Sequence, residues 1–244
     1  MTLWTKDGLT VYKEPYVLGT EKADSKLASL NPIKVSQAAQ THAGTYYLVD
    51  GEGWINASDL STTDNRIEAV QKVLNEKYNN QERISVYVKQ LDTDRVAAIN
   101  DEKSMYAASV AKLGVLYYAQ ERLSQKKLSL SDEYQYTSAV NGFPGAYDSD
   151  GSGKISKMPD DKNYSLENLL KAVAQNSDNV ATNILGYYVA NQYDKAFQKS
   201  VDKAAATSWN MDKKELTARA AGTLMEAVYR QNGDIINLSF KHGL

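Results

Sequence analysis

The chain has 244 residues, 42% of them hydrophobic and 24% charged, enough for one large domain or for a medium and a small one of ordinary soluble composition. Its net charge of −2 argues against nucleic acid as a partner, and the lack of cysteine removes any disulfide framework or thiolate metal site. His42 and His242 lie too far apart in sequence to suggest a metal cluster and supply a Ser-His-Asp triad poorly, while no apolar run approaches the roughly 18 residues of a membrane span.

Residues 1–60 read as short strands and turns. Leu9-Thr10-Val11-Tyr12 and Tyr46-Tyr47-Leu48-Val49 are strand candidates, and Asp50-Gly51 is a hairpin signal before Gly53-Trp54-Ile55. The run Thr45 to Leu60 resembles the last hairpin of a GW module, a small β-barrel that attaches bacterial proteins to cell-wall polymers. The resemblance implies such a module over 1–60, with a cell-wall polymer as partner; the burial habits of tryptophan favour Trp54 as a barrel-core residue over Trp54 as a ligand platform. A β-rich appendage that binds nothing is the alternative.

Ser61-Thr62-Thr63-Asp64-Asn65 reads as a polar joint, and Asn65 with Glu68 approximates a capping box. Ile67, Val70, Val73, Leu74 and Tyr78 fall on one helical stripe. Arg83 to Lys89 alternates as a strand, Leu91 to Asp94 turns, and Arg95 to Asn100 returns. In Met105-Tyr106-Ala107-Ala108-Ser109-Val110-Ala111-Lys112, a serine stands three residues before a lysine where a helical pattern of Val110, Leu113, Leu116 and Tyr117 begins. That spacing puts Ser109 and Lys112 on one face. A desolvated lysine can deprotonate a serine hydroxyl, and a helix N-terminus favours the developing negative charge.

Asp148-Ser149-Asp150-Gly151-Ser152-Gly153-Lys154-Ile155 matches the first half of a calcium loop, with Asp148, Asp150 and Ser152 as candidate ligands. Pro159 stands where the bidentate glutamate belongs, so the expectation is no metal. Asn176-Ser177-Asp178-Asn179 lies between the helical patterns Leu166, Leu169, Leu170, Val173 and Val180, Ile184, Leu185. Further on, 194–206 reads as a charged helix anchored by Phe197 and Val201. The last helix runs from about Thr217 to Tyr229 with a stripe of Leu224, Met225 and Val228.

An S-D-N after an S-x-x-K resembles the ordered signature of penicillin-binding proteins and class A β-lactamases. Ser177-Asp178-Asn179-Val180-Ala181-Thr182-Asn183-Ile184-Leu185 is similar to that family's S-D-N-x-A-x-N-x-L run. Gly151-Ser152-Gly153, Ser165 to Leu170 and Thr217-Ala218-Arg219 resemble its flanking segments, over residues 64 to 231 in order. The resemblance implies an α+β fold over 64–244, a β-lactamase/transpeptidase-like antiparallel sheet flanked by helices and preceded by the small β module. It also implies catalytic roles. Ser109 attacks an acyl carbonyl, and its backbone N–H is an oxyanion donor. Lys112 takes the proton, Ser177 relays one to the leaving nitrogen, and Asn179 orients Lys112 and the substrate amide. The substrate is then a peptidoglycan stem peptide or a β-lactam, with no cofactor. The protein would work outside the bacterial cell or on its surface, with its export signal outside this sequence, because Met1-Thr2-Leu3-Trp4 does not begin a signal peptide.

Two departures qualify this reading. The family's third motif, K-T-G or K-S-G, has only Lys241-His242-Gly243 as a lookalike, which makes Lys241 and Gly243 weak substrate-binding candidates. The strands that should come after it are expected in sequence beyond this chain. Glu215 is followed four residues later by Arg219, so the E-x-x-x-N pattern of the class A deacylating glutamate is not met. Without a base to activate water an acyl-enzyme persists, which favours a penicillin-binding type of hydrolase over an antibiotic-destroying one. The rival from another class is a non-catalytic cell-wall-binding protein on a degenerate hydrolase scaffold.

Overall fold

Alternation of apolar and polar residues over short stretches gives the first 61 residues their strands. In the computed structural model, which describes residues 1–16, 19–231, 233 and 235, these are β1 (Thr2–Thr5), β2 (Val11–Tyr12), β3 (Pro32–Lys34), β4 (Gln37–Thr41), β5 (Gly44–Val49), β6 (Gly53–Asn56) and β7 (Leu60–Ser61). They form two antiparallel sheets, ordered β3-β1-β7 and β2-β6-β5-β4, around Leu3, Val11, Ile33, Val49, Ile55 and Leu60. The Asp50-Gly51 turn joins β5 to β6 with Val49 opposite Gly53 and Tyr46 opposite Asn56. Trp54 is not the core residue expected of it. Neighbours on a strand face opposite ways, so with Ile55 wholly buried Trp54 points to the other face and stays half-exposed.

α1 (Ile67–Tyr78) comes next, then β8 (Val86–Gln90) and β9 (Arg95–Ile99), an antiparallel hairpin with Val88 opposite Ala97. Only Ile67 and Leu74 of the expected helical stripe are buried; Val70 and Val73 are exposed. Asn65 does not cap α1. Its buried side chain instead donates from Nδ2 to the Thr5 carbonyl at 3.0 Å, and Arg66 lies over the Trp4 ring, so the polar joint is tied at its end.

Contacts divide the chain into two units, Met1–Ile99 and Asn100–Leu244. α1 and the β8–β9 hairpin, expected from the sequence within the hydrolase domain, group by contact with the first unit.

The second unit starts with β10 (Met105–Tyr106) and a tight 3-10 turn over Ala108–Lys112 that runs into α2 (Leu113–Ser124). Next come β11 (Glu133–Gln135), β12 (Asn163–Ser165), α3 (Leu166–Asn176), α4 (Asn179–Tyr188), α5 (Lys195–Ala205), β13 (Glu215–Leu216) and α6 (Ala218–Arg230). β11 pairs with β12, and β10 with β13, both antiparallel. The four residues Leu166, Leu169, Leu170 and Val173 are buried at helical spacing, as are Phe197 and Val201. Two expected stripe members face outward, Val110 and Met225. Val110 does so because the 3-10 turn has three residues per turn and does not continue the α2 stripe.

α2 is buried on most sides, including Val115, Leu116, Tyr118 and Ala119. Trp209 closes on it: the buried indole donates from Nε1 to the Ala111 carbonyl at 3.1 Å. Gly114 makes room, since a Cβ there would lie 2.6 Å from that nitrogen. The beginning of α2 is therefore fixed from below, and with it the turn that carries Ser109 and Lys112.

Candidate active site

Three helix ends build the site. α3 stops at Ser177, which takes the left-handed conformation at φ 50° while its N–H donates back to Val173 at 3.0 Å. Asp178 then opens α4 as N-cap, accepting from Ala181 N at 2.9 Å. The break between α3 and α4 turns the Ser177 carbonyl and hydroxyl outward. Lys112, at the end of the 3-10 turn, reaches them.

Lys112 is 3% exposed. Its Nζ donates to Ser177 O at 2.6 Å, to Asn179 Oδ1 at 2.6 Å and to Ser177 Oγ at 3.1 Å. Two of these partners are carbonyl oxygens, which can only accept. The third is a hydroxyl, which can accept from an ammonium or donate to a neutral amine. The same three contacts therefore satisfy Lys112 in either protonation state. Burial pulls its pKa down to about 8; Asp178 opposes the shift and the positive charge of Lys157 adds to it.

Ser109 is exposed and sits three residues before Lys112 on the 3-10 turn, where positions i and i+3 eclipse. Ala108 just before it is in the left-handed region at φ 47°, an uncommon place for a residue with a Cβ. The β10–β13 pairing and a 2.7 Å bond from Ala107 N to Lys214 O anchor the approach to this turn.

The loop read as a half calcium site packs on the S-D-N turn. Ser152 Oγ donates to Ser177 O at 2.7 Å and to Asn179 Oδ1 at 3.3 Å. The Asp148 carbonyl accepts from Asn179 Nδ2 at 2.7 Å, and the Asp148 carboxylate accepts from Asp150 N at 2.9 Å. Ile155 N and Lys154 N donate to the buried Asp178 carboxylate. Gly153, at φ +130°, brings the backbone so close that a Cβ would lie 2.3 Å from Asp178 Cγ. Among the described residues no group of three or more histidine, aspartate or glutamate side chains could hold a metal ion.

Sequence reasoning gives no role to three contributors. Asn183, one helical turn beyond Asn179, grips the Tyr147 backbone with both ends of its amide, accepting at 2.7 Å and donating at 2.8 Å. Tyr147 in turn lies under the Lys112 ammonium at 4.6 Å from its ring centre, and its hydroxyl donates to Ala108 O at 3.1 Å. Lys157 donates to Gly151 O at 2.6 Å, closing the loop on itself. Of the three only Asn183 is signalled in the sequence, as the second asparagine of the S-D-N-x-A-x-N-x-L run, four residues after Asn179. The structure thus brings Lys112, Ser177, Asn179, Asp148 and Ser152 together, with Ser109 on the same turn as Lys112. Lys241 and Gly243 lie outside the described residues.

The model of the beta-lactamase enzyme family matches residues 65–241. The chain belongs to that family. No curated protein matches it. Solved structures of similar fold include PBP-A, 15% identical, with 66% of this chain aligned to 62% of that one at a TM-score of 0.53. A PBP-A mutant captured as an acyl-enzyme with penicillin G is 16% identical, with 67% aligned to 62% at a TM-score of 0.53. The D-alanyl-D-alanine carboxypeptidase DacD from Francisella tularensis is 17% identical, with 66% aligned to 40% at a TM-score of 0.52. The chain thus spans about three fifths or less of the length of these proteins. They establish the beta-lactamase and penicillin-binding fold for it, a mixed architecture of helices and antiparallel strands.

Proposed function

We propose that this chain is a serine acyl hydrolase or transferase that reacts with peptidoglycan stem peptides or β-lactams through an acyl-enzyme on Ser109. The observation that carries the reading is the buried Lys112, held by Ser177 and Asn179 and lowered to about 8, three residues from an exposed serine. In the proposed reaction Lys112, in its neutral form, takes the Ser109 proton as Oγ attacks the acyl carbonyl. Ser177 then passes a proton to the leaving nitrogen, as its contact with Lys112 Nζ permits. Asn179 holds Lys112 through Oδ1 and is itself held through Nδ2. The Ser109 N–H, at the start of its turn, is the proposed oxyanion donor. The exposed solvent-side position of Ser109 and the family's neighbours, one of them trapped with penicillin G, support this assignment.

We place the first 60 residues as a GW-like cell-wall-binding module and the protein on the outside of a bacterial cell. The two small antiparallel sheets around one core support the former, and a peptidoglycan substrate supports the latter. Intact-mass analysis after exposure to benzylpenicillin tests the enzyme reading. A one-to-one adduct that Ser109→Ala abolishes is expected. No adduct on the native chain would favour the rival, a wall-binding protein on a silent scaffold.

A further inference from the structure

Asn183 and Tyr147 have no part in the proton path, yet together they join the S-D-N helix, α4, to the peptide that carries Ser109. Asn183 is wholly buried; it accepts from Tyr147 N at 2.7 Å and donates to Tyr147 O at 2.8 Å. The tyrosine ring is confined as well. Lys112 Nζ lies 4.6 Å and Lys214 Nζ 4.5 Å from its centre, and the residue is 9% exposed. With backbone and ring both held, the phenol hydroxyl is aimed at the Ala108 carbonyl and donates to it at 3.1 Å.

The Ala108 carbonyl and the Ser109 N–H are the two ends of one peptide plane and point in opposite directions across it. Whatever fixes the carbonyl therefore fixes the direction of the N–H. Ala108 is left-handed at φ 47°, a conformation that a residue with a Cβ keeps only when its surroundings hold it. Upstream, Ala107 N is held by Lys214 O at 2.7 Å; downstream, Val110 N is held by Ala107 O at 2.9 Å. The Tyr147 hydroxyl reaches the peptide between these two bonds. A hydrogen bond at a carbonyl also polarises the peptide and makes its N–H a stronger donor.

We propose that Tyr147 is a positioning residue for oxyanion stabilisation: its hydroxyl aims and polarises the Ser109 N–H toward the acyl oxygen. α4 thereby holds both halves of the reaction, the base through Asn179 and the oxyanion donor through Asn183 and Tyr147. The inference rests on the acyl-enzyme reading, in which that N–H is the donor, and one of its consequences is measurable without acylation.

The test is Tyr147→Phe, which removes the hydroxyl and keeps the ring beside both amines. Acylation by saturating benzylpenicillin is expected to slow about tenfold, less than the roughly 100- to 1000-fold loss on deleting an oxyanion donor outright. Non-covalent binding of benzylpenicillin to the Ser109→Ala chain should change by less than about threefold when Tyr147→Phe is added. The pH midpoint of acylation should stay in place, because Lys112 keeps its contacts. In the acyl-enzyme, the infrared band of an isotope-labelled acyl carbonyl should move to higher wavenumber, the direction of a weaker hydrogen bond to its oxygen. Acylation within about twofold of native, a shifted midpoint or an unmoved band overturns the proposal, since a merely structural bond would leave the band in place. The resting chain gives a separate reading. An amide nitrogen senses hydrogen bonding at the carbonyl before it, so the NMR resonance of the Ser109 amide should move in Tyr147→Phe. An unmoved resonance overturns the proposal whether or not the chain acylates. A native chain that forms no penicillin adduct sinks the acyl-enzyme reading, and the Ser109 resonance still decides whether the Tyr147 hydroxyl governs that peptide.

Discussion

Asn179 Oδ1 accepts from Lys112 Nζ at 2.6 Å, across 67 residues of sequence. The amide cannot turn around, because its Nδ2 donates to the Asp148 carbonyl at 2.7 Å. Lys112 therefore meets a fixed acceptor whether or not it carries a proton, and the hydroxyl of Ser177 is the partner that adjusts.

This arrangement predicts a pH profile. With a pKa of about 8, roughly one Lys112 in ten is neutral at pH 7 and nine in ten at pH 9. In the proposed reaction the base is the neutral form, so acylation of Ser109 by benzylpenicillin should rise about tenfold over that interval and level off above it. Lys112→Ala should lower the plateau by about a hundredfold or more. A flat profile, or an undiminished rate in the variant, would remove Lys112 from the proton transfer.

Lys157 should shift that profile. Its positive charge helps to lower Lys112, and its ammonium is held by the Gly151 carbonyl. Lys157→Met is expected to move the midpoint of the acylation profile to higher pH, with the loss confined to the acidic side. Lys157→Arg should leave the midpoint in place. A uniform loss at every pH would mean that the residue acts only by shaping the loop.

Asp178 is expected to matter for stability before chemistry. One oxygen caps α4 through Ala181 N, the other receives Lys154 N and Ile155 N, and the residue is wholly buried. Asp178→Ala removes a cap worth about 0.5–2 kcal/mol and strands two loop donors at about 1–3 kcal/mol each if they stay buried. Urea unfolding should show a loss of at least about 2 kcal/mol in the second unit. A change below about 0.5 kcal/mol would show that the loop can let go without penalty.

Gly114→Ala should destabilise the same unit, because the new methyl would meet the Trp209 ring at under 3 Å and either break the bond to Ala111 O or push α2 aside. A loss of about 1–3 kcal/mol in unfolding free energy is expected, as for other overpacked cores. Unchanged stability would mean that the indole has room to retreat.

The parts of this molecule most legible in the sequence are those fixed by local rules. The buried faces of α3 and α5 follow from apolar spacing, and the β5–β6 hairpin from Asp50-Gly51. Asn65 departs from its expected capping role because a distant carbonyl, Thr5 O, outcompetes the adjacent helix end for its amide. Trp54 departs from the core because its neighbour Ile55 takes the inward face. The loop from Asp148 to Lys157 suggests a cation by its acids and glycines. Its glycines instead let the backbone approach Asn179 and Asp178, and its hydrogen bonds run to Ser177, Asp178 and Asn179, 23 to 31 residues away. Tyr147 and Lys214 carry no motif at all, since their place beside Lys112 comes from the pairing of β10 with β13 and the grip of Asn183.

Of the chain's three tryptophans, Trp4 and Trp54 belong to the first unit and Trp209 to the second. Trp209 is sealed from water and bonded to the residue next to Lys112. Its fluorescence is thus a built-in optical gauge of the ground beneath the turn that carries Ser109. With Trp4 and Trp54 replaced by phenylalanine, a blue-shifted emission marks an intact α2, and any red shift or quenching during a titration locates the disturbance at the Ala111 carbonyl.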